Sequence, residues 1–356
     1  MRETVALIII CLVGAVFAEI YELNVDILKE AECIESFEMC QQEKCVEEME
    51  SCHRESRIDM VVYTGFVNIV NSNFHFPLIG FVNMGLGSQS MPQLGFVNWT
   101  QNNFESTQLG LINNVGRNFN GVQLGYINLV SESLNGTQLG FVNFIRGNVQ
   151  GMQVGYVNIA LNDLSGLQIG FVNLAHRVDG MQLGFVNIAE SVDNGIPIGF
   201  VSIVREGGYR AIGMSVSELA PYNMAFKIGV ERFYTSFNLA YKPDREAAHE
   251  ASFAGWGVGT IVRFNDVLFL NPELISMNNV GKHKQNHTSF VPNLGFRITS
   301  GLSIIVGPSF TWTSIWNDSD ADREIFKPTF SFKEHRINDR NRLFVGGRVG
   351  LRVQAR

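Results

Sequence analysis

The chain carries two hydrophobic rhythms in succession. From Gly65 to Ser202, a tetrad of Gly, then Phe, Tyr or Leu, then Val or Ile, then Asn or Ser recurs ten times. It starts at Gly65, Gly80, Gly95, Gly110, Gly125, Gly140, Gly155, Gly170, Gly184 and Gly199. Every step is 15 residues except the 14 from Gly170 to Gly184. The full unit reads Gly-x-Gln-Leu-Gly-Phe-Val-Asn, as in Gly136–Asn143, and continues through an apolar pair into a short polar stretch such as Ser131–Ser133. Internal repetition of this strictness outranks any local signal. As one uninterrupted strand, a unit would set Leu139, Phe141 and Asn143 on one face and Gln138, Gly140, Val142 and Phe144 on the other. The polar stretch is the predicted turn.

Two architectures accommodate the repeat. In a β-solenoid each unit is one coil, and like residues stack on like. Its Asn column is Asn68, Asn83, Asn98, Asn113, Asn128, Asn143, Asn158, Asn173 and Asn187, with Ser202 departing, and the stacked amides could hydrogen-bond along the ladder. In a meander each unit would be one strand of a single large barrel. Alternate strands would then place their turns at opposite ends, and nothing would hold those turns to one length and chemistry. Identity at a single period favours the solenoid.

The second rhythm has a period of two. Leu302, Ile304, Val306, Pro308, Phe310 and Trp312 alternate with Ser303, Gly307, Ser309, Thr311 and Thr313. Val349, Leu351, Val353 and Ala355 alternate with Arg348, Gly350, Arg352, Gln354 and Arg356. Similar runs at Arg210–Glu218, Met224–Val230, Phe233–Tyr241, Ala254–Phe264, Val267–Met277 and Phe290–Ile298 bring the count to about eight strands. The spacing predicts an antiparallel β-barrel of about eight strands, one face aliphatic and aromatic, the other Gly, Ser, Thr and Arg. Polar connections at Pro243–Ala251, Asn278–Asn286 and Asn317–Asn341 suit long loops at one end of a membrane barrel, whereas the C-terminal Arg356 departs from the aromatic residue with which such barrels commonly end.

The Gly-x-Gln-Leu-Gly-Phe-Val-Asn units over Tyr63–Ile203 resemble a spirochaete-type family of surface-repeat proteins. The resemblance implies an envelope or surface location and brings no activity. The C-terminal half resembles an outer-membrane β-barrel in style.

Composition and charge refine this picture. Hydrophobic residues make up 46% and charged residues 17% of the 356 positions. That is a low charge content for a water-exposed domain, yet nothing after the N-terminus is a continuous apolar stretch long enough for a spanning helix. Met1–Ala18 reads as a signal peptide, with Arg2, an apolar run over Val5–Val16 and a small-residue cleavage site ending at Ala18. Residues 19–52 then hold eleven Asp or Glu against two Lys, more than the whole net charge of -7. The remainder is near neutral and has no basic stripe, so nucleic acid is not an expected partner. Cys33, Cys40, Cys45 and Cys52 sit in this acidic segment at a symmetric spacing, C-x6-C-x4-C-x6-C. Seven residues is two helical turns, so a helical hairpin would pair Cys33 with Cys52 and Cys40 with Cys45, one of three connectivities. Export makes disulfides the default.

The expected organisation is therefore a signal peptide over 1–18, an acidic disulfide-linked helical hairpin over 19–57, the repeat domain over 58–205 and a barrel-like domain over 206–356. Candidate chemistry is sparse. His283 and His287 are four apart in a predicted Asn/Lys-rich loop, and Asp318, Asp320, Asp322 and Glu324 lack the Gly of a calcium loop. No nucleophile, phosphate or dinucleotide motif occurs. We expect no catalytic, cofactor or metal residues. The expected role is that of a non-enzymatic surface protein of the outer envelope, structural or adhesin-like. Its partners would be outer-membrane lipid and a surface protein or glycan; a secreted or periplasmic binding module is the alternative, and a pore or a glycan-active enzyme ranks lower.

Overall fold

The computed structural model describes residues 63–243, 251–280, 285–315 and 328–355. The helical hairpin and its cysteines lie outside them, as do the acidic cluster at 318–324 and His283. The described chain is all-β: a parallel solenoid followed by a closed antiparallel barrel.

The solenoid strands are β1 (Tyr63–Val70), β2 (Leu78–Gly85), β3 (Gln93–Leu94), β4 (Val97–Thr100), β5 (Thr107–Leu109), β6 (Ile112–Val115), β7 (Phe119–Leu124), β8 (Ile127–Val130), β9 (Leu134–Leu139), β10 (Val142–Ile145), β11 (Val149–Val154), β12 (Val157–Val178), β13 (Met181–Val192) and β14 (Ile196–Glu206). All pair in parallel, each residue with its equivalent one coil away, as Asn143 with Asn158 and Gly184 with Gly199. That register excludes the single meander barrel, in which neighbouring repeats would run antiparallel. The Gln-Leu strands β5, β7, β9 and β11 form one run and the Val-Asn strands β4, β6, β8 and β10 the other, and β2 and β12 join the two runs into one continuous sheet. The one-residue deletion falls in a polar turn: two residues, His176 and Arg177, separate Ala175 from Val178, where three separate Ala160 from Leu164.

The unit is not one straight strand, which corrects the expected faces. The chain turns a corner at Gly140 and Phe141, between β9 and β10. Asn143 therefore points inward and Phe141 outward, and Gln138 joins Asn143 inside. Each flattened coil has two narrow edges. Near the polar turn the interior is apolar, with columns such as Leu134, Val149, Leu164 and Ile145, Ala160, Ala175. Near the Gly-Phe corner the interior is filled by amides.

The barrel strands are β15 (Tyr209–Ser217), β16 (Tyr222–Val230), β17 (Phe233–Lys242), β18 (Ala251–Gly259), β19 (Val262–Arg263), β20 (Leu268–Asn279), β21 (Gln285–Arg297), β22 (Leu302–Ile315), β23 (Lys333–Arg336) and β24 (Asn341–Ala355). Eight of them close the wall in sequence order, with β24 pairing back onto β15. The short β19 and β23 are side pairings on β20 and β24. The run expected over Ala254–Phe264 is interrupted: β18 stops at Gly259 and the chain resumes as β19. His287, expected in a loop, lies on β21 inside the barrel with Nδ1 3.0 Å from Thr313 Oγ1. The alternation here is that of an antiparallel wall with chemically different sides.

The two ends of the barrel differ. At the short-turn end the connections are residues 231–232, 260–267 and 298–301, none longer than eight residues. At the other, the connections are residues 218–221, 243–250, 280–284 and 316–340, and only the last, which carries β23, exceeds eight residues. The solenoid joins at the short-turn end, where β14 packs against β16 and β17. The edge carbonyls of its last coil are taken up by barrel side chains: Thr235 Oγ1 donates to Gly199 O at 2.7 Å and Arg210 Nη2 to Val204 O at 2.7 Å. An open strand edge is thereby capped.

Candidate functional site

The repeat residues form ladders. In each coil the Asn Nδ2 donates to the next Asn Oδ1, as Asn143 to Asn158 at 2.8 Å, and to a carbonyl of the next coil, as Asn143 to Val154 O at 2.9 Å. The chain of amides starts at Asn68 and ends where Asn187 meets Ser202 Oγ at 3.3 Å. A second ladder of Gln93, Gln108, Gln123, Gln138, Gln153, Gln168 and Gln182 runs beside it with the opposite polarity, each Nε2 from Gln108 onward donating to the preceding Oε1, as Gln138 to Gln123 at 2.7 Å, which leaves the terminal Gln93 Nε2 and Gln182 Oε1 without a partner. No role is expected of these Gln from the sequence, although they recur at the same period as the Asn. Buried amides arranged this way satisfy one another, which is the condition for tolerating them in an interior.

The tetrad glycines are set by the same geometry. At Gly140 a Cβ would stand 2.3 Å from Gly125 O and 2.6 Å from Asn128 Nδ2, and the positions from Gly80 to Gly199 repeat this crowding; Gly65, in the first coil, meets only its own neighbours Val67 and Asn68. Glycine is required there by close approach between coils.

With Asn and Gln inside, the apolar residues of the tetrad are outside. Phe66, Phe81 and Phe96 stack, Leu111 follows, and Tyr126, Phe141, Tyr156, Phe171, Phe185 and Phe200 continue the column. Adjacent rings have centroids 4.8–5.0 Å apart and are nearly parallel. All ten side chains are 38–75% exposed. Leu or Ile on one flank and Val or Ile on the other widen the column into a ridge, with Leu109, Ile79 and Val67 among its exposed members. The charges of the repeats lie at or beside the opposite edge, where Arg177 pairs with Asp163 and Arg205 with Glu190.

The barrel is inverted in the same sense. Its wall turns Met214, Leu239, Trp256, Leu274, Phe290 and Val349 outward. The lumen holds the ions. Glu273 is paired with Lys227 and, at 3.2 Å, with Arg348 Nη1, and it accepts from Tyr234 OH at 2.6 Å; all four side chains are buried. Glu218 accepts from Ser309 and from Thr311, the latter at 2.6 Å. The Arg352 guanidinium lies 4.3 Å from the Phe269 ring centre. Around Lys227, Glu273 and Arg348 the remaining space is about 10 Å³, room for one water at most. At the short-turn end Glu231 hydrogen-bonds Arg263, raising the already high pKa of that guanidinium.

Among the described residues no group of three His, Cys, Asp or Glu is placed to hold a metal, and no helix is long and apolar enough to cross a membrane. Comparison with protein-family models, curated proteins and solved structures gives no match.

Proposed function

We propose that this chain is an exported, non-enzymatic protein of the outer envelope whose barrel spans a lipid membrane and whose role is structural or interactive. The observation that carries this reading is the inverted wall: exposed aliphatic and aromatic side chains outside, and the Lys227–Glu273–Arg348 group inside. In water such a wall would expose far more contiguous apolar surface than a soluble monomer tolerates. In lipid it is the expected solvent-facing surface, and strands of 9–15 residues are long enough to cross when tilted. The packed lumen supports an anchor rather than a channel, since eight-stranded barrels are normally filled by side chains.

Barrels of this kind carry their short turns on the periplasmic side and their long loops outside. On that rule the end that carries the one long connection, 316–340, faces the exterior with 243–250 and 280–284 and would meet any surface protein or glycan, while the repeats lie inside the membrane boundary. Detergent phase partitioning with protease shaving of whole cells tests the reading. We expect the intact protein in the detergent phase, heat-modifiable mobility on gels, and cleavage confined to the connections at the end that carries 316–340. Recovery of the protein in the aqueous phase would refute insertion and favour a secreted or periplasmic binding module.

A further inference from the structure

We propose that the aromatic ridge of the solenoid is a second lipid-facing surface, so that the repeats lie along the bilayer with their Leu, Phe and Val columns immersed in the leaflet at the short-turn end. This rests on the barrel being in a membrane.

Three observations converge on lipid as the occupant. The first is continuity. The ridge does not stop at the end of the solenoid; Phe200 meets Phe237 of β17 edge to face at 5.1 Å. Phe237 stands on the outer wall opposite Phe226 and two residues from Leu239, both exposed apolar members of that wall. The ridge and the barrel's belt are thus one apolar surface.

The second is direction. Hydrogen bonds between parallel coils run along the solenoid axis, and the last carbonyls of that series, Gly199 O and Val204 O, meet barrel side chains. Thr235 projects from the outer wall of the barrel, on the same side of β17 as Phe237. The axis therefore runs into the barrel wall from the side, and a barrel that spans the bilayer holds the solenoid along the membrane plane. Phe237 is five residues beyond Arg232 of the short turn. At about 3.3 Å per residue and a strand tilt near 40°, this is roughly 13 Å along the barrel axis, within one leaflet of a hydrocarbon core about 30 Å thick.

The third is segregation. No Asp, Glu, Lys or Arg occupies any Leu-Gly-Phe-Val segment from Gly65 to Ser202, whereas Arg146, Asp163, Arg177 and Asp193 decorate the polar edge. Nine coil steps of about 4.8 Å make the ridge roughly 43 Å long. An element with one apolar edge and one charged edge is built to lie in an interface, and Tyr126 and Tyr156 supply the amphipathic rings favoured there.

The test places single tryptophans in the full-length protein reconstituted in phosphatidylcholine vesicles with and without brominated acyl chains. One protein keeps Trp256 alone, with Trp99, Trp312 and Trp316 changed to Phe, and reports the barrel wall. In two others all four are Phe and the reporter is Phe141→Trp on the ridge or Asn148→Trp on the polar edge. Heat-modifiable mobility certifies folding of each. We expect bromolipid to quench Trp256 and Phe141→Trp to similar extents, and both several-fold more than Asn148→Trp. Quenching of Trp256 without Phe141→Trp would overturn the inference and leave the barrel reading intact, as would be found if a second copy of the chain covered the ridge. Equal quenching on ridge and polar edge would also overturn it. Quenching of Phe141→Trp without Trp256 would reject the spanning barrel and, with it, the inference that the ridge continues the barrel's lipid-facing belt.

Discussion

Asn143 sits at the middle of the amide ladder, and its replacement by Ala measures what the ladder contributes. The side chain donates to Asn158 Oδ1 at 2.8 Å and to Val154 O at 2.9 Å, and accepts from Asn128 Nδ2 at 2.9 Å. After Asn143→Ala, Asn158 Oδ1 loses its donor within the ladder in a site without solvent access. Val154 O keeps the Gly140 amide and Asn128 Nδ2 keeps Leu139 O. One orphaned acceptor costs about 1–3 kcal/mol and each weakened partner about 1 kcal/mol more, so the expected loss is about 3–5 kcal/mol. Ser202→Ala, at the ladder's end, removes only a 3.3 Å contact from Asn187 and a 3.1 Å bond to Pro197 O, and should cost about 1 kcal/mol. Native-state hydrogen exchange on the full-length protein, read by mass spectrometry on peptides covering 128–160, gives the local opening free energy. Coils contact only their neighbours, so lost protection should centre there and fade toward both ends. A change below about 1 kcal/mol at Asn143, or one no larger than at Ser202, would refute a stabilising ladder and leave the Asn as space-fillers.

Gly140→Ala should destabilise the same coils by about 1–3 kcal/mol or more, because a Cβ 2.3 Å from Gly125 O forces the coils apart; lost protection around Gly125–Gly155 in the same exchange experiment checks it. Glu273→Gln strands Lys227 and Arg348 in the lumen without their counter-charge and should cost about 3–5 kcal/mol, read as a lower unfolding temperature of the heat-modifiable species. Removing charge on both sides, as Lys227→Met with Glu273→Leu, should recover part of that loss. On the outer wall, Phe290→Lys should oppose insertion by up to about 2–4 kcal/mol if the site lies near mid-bilayer, seen as a reduced folded fraction in vesicles, whereas Ser309→Thr in the lumen should insert normally.

The barrel was legible because its pattern is local. Leu302 to Trp312 alternate except at Ile305, which is turned inward, and β22 sets Ile304, Val306, Phe310 and Trp312 outward and Ser303, Ser309, Thr311 and Thr313 inward as that alternation requires. The solenoid was legible as an architecture, from strict translation, but not in its faces. Alternation carried straight through Gly140 puts Phe141 and Asn143 together. The corner reverses the relation, and its cause is a contact 15 residues away, the Gly125 carbonyl lying where a Cβ would be. Gln138 escaped notice for a related reason: beside Leu139 on a half-apolar strand it reads as an exposed polar residue, and only the stack of coils shows it to be interior. The Lys227–Glu273–Arg348 group joins β16, β20 and β24 across a closed wall, and no sequence spacing encodes it.

Both halves of the molecule share one arrangement: beside their buried apolar clusters, polar groups are bonded to each other inside, while rows of apolar side chains stand outside. In the barrel the ions of β16, β20 and β24 satisfy each other across a filled lumen. In the solenoid the amides satisfy each other along the axis, coil to coil. A soluble solenoid would gain by exchanging these positions, placing Phe141 inside and Asn143 outside, because burying a Phe side chain is worth about 1.5–3 kcal/mol. The repeat makes the opposite choice in every coil, and tightens it with a glycine that lets the ladder close. Ten independent lapses in a soluble core are a poor account of that regularity. A surface selected to remain apolar, beside a barrel wall of the same character, accounts for the ridge, the ladders and the glycines together.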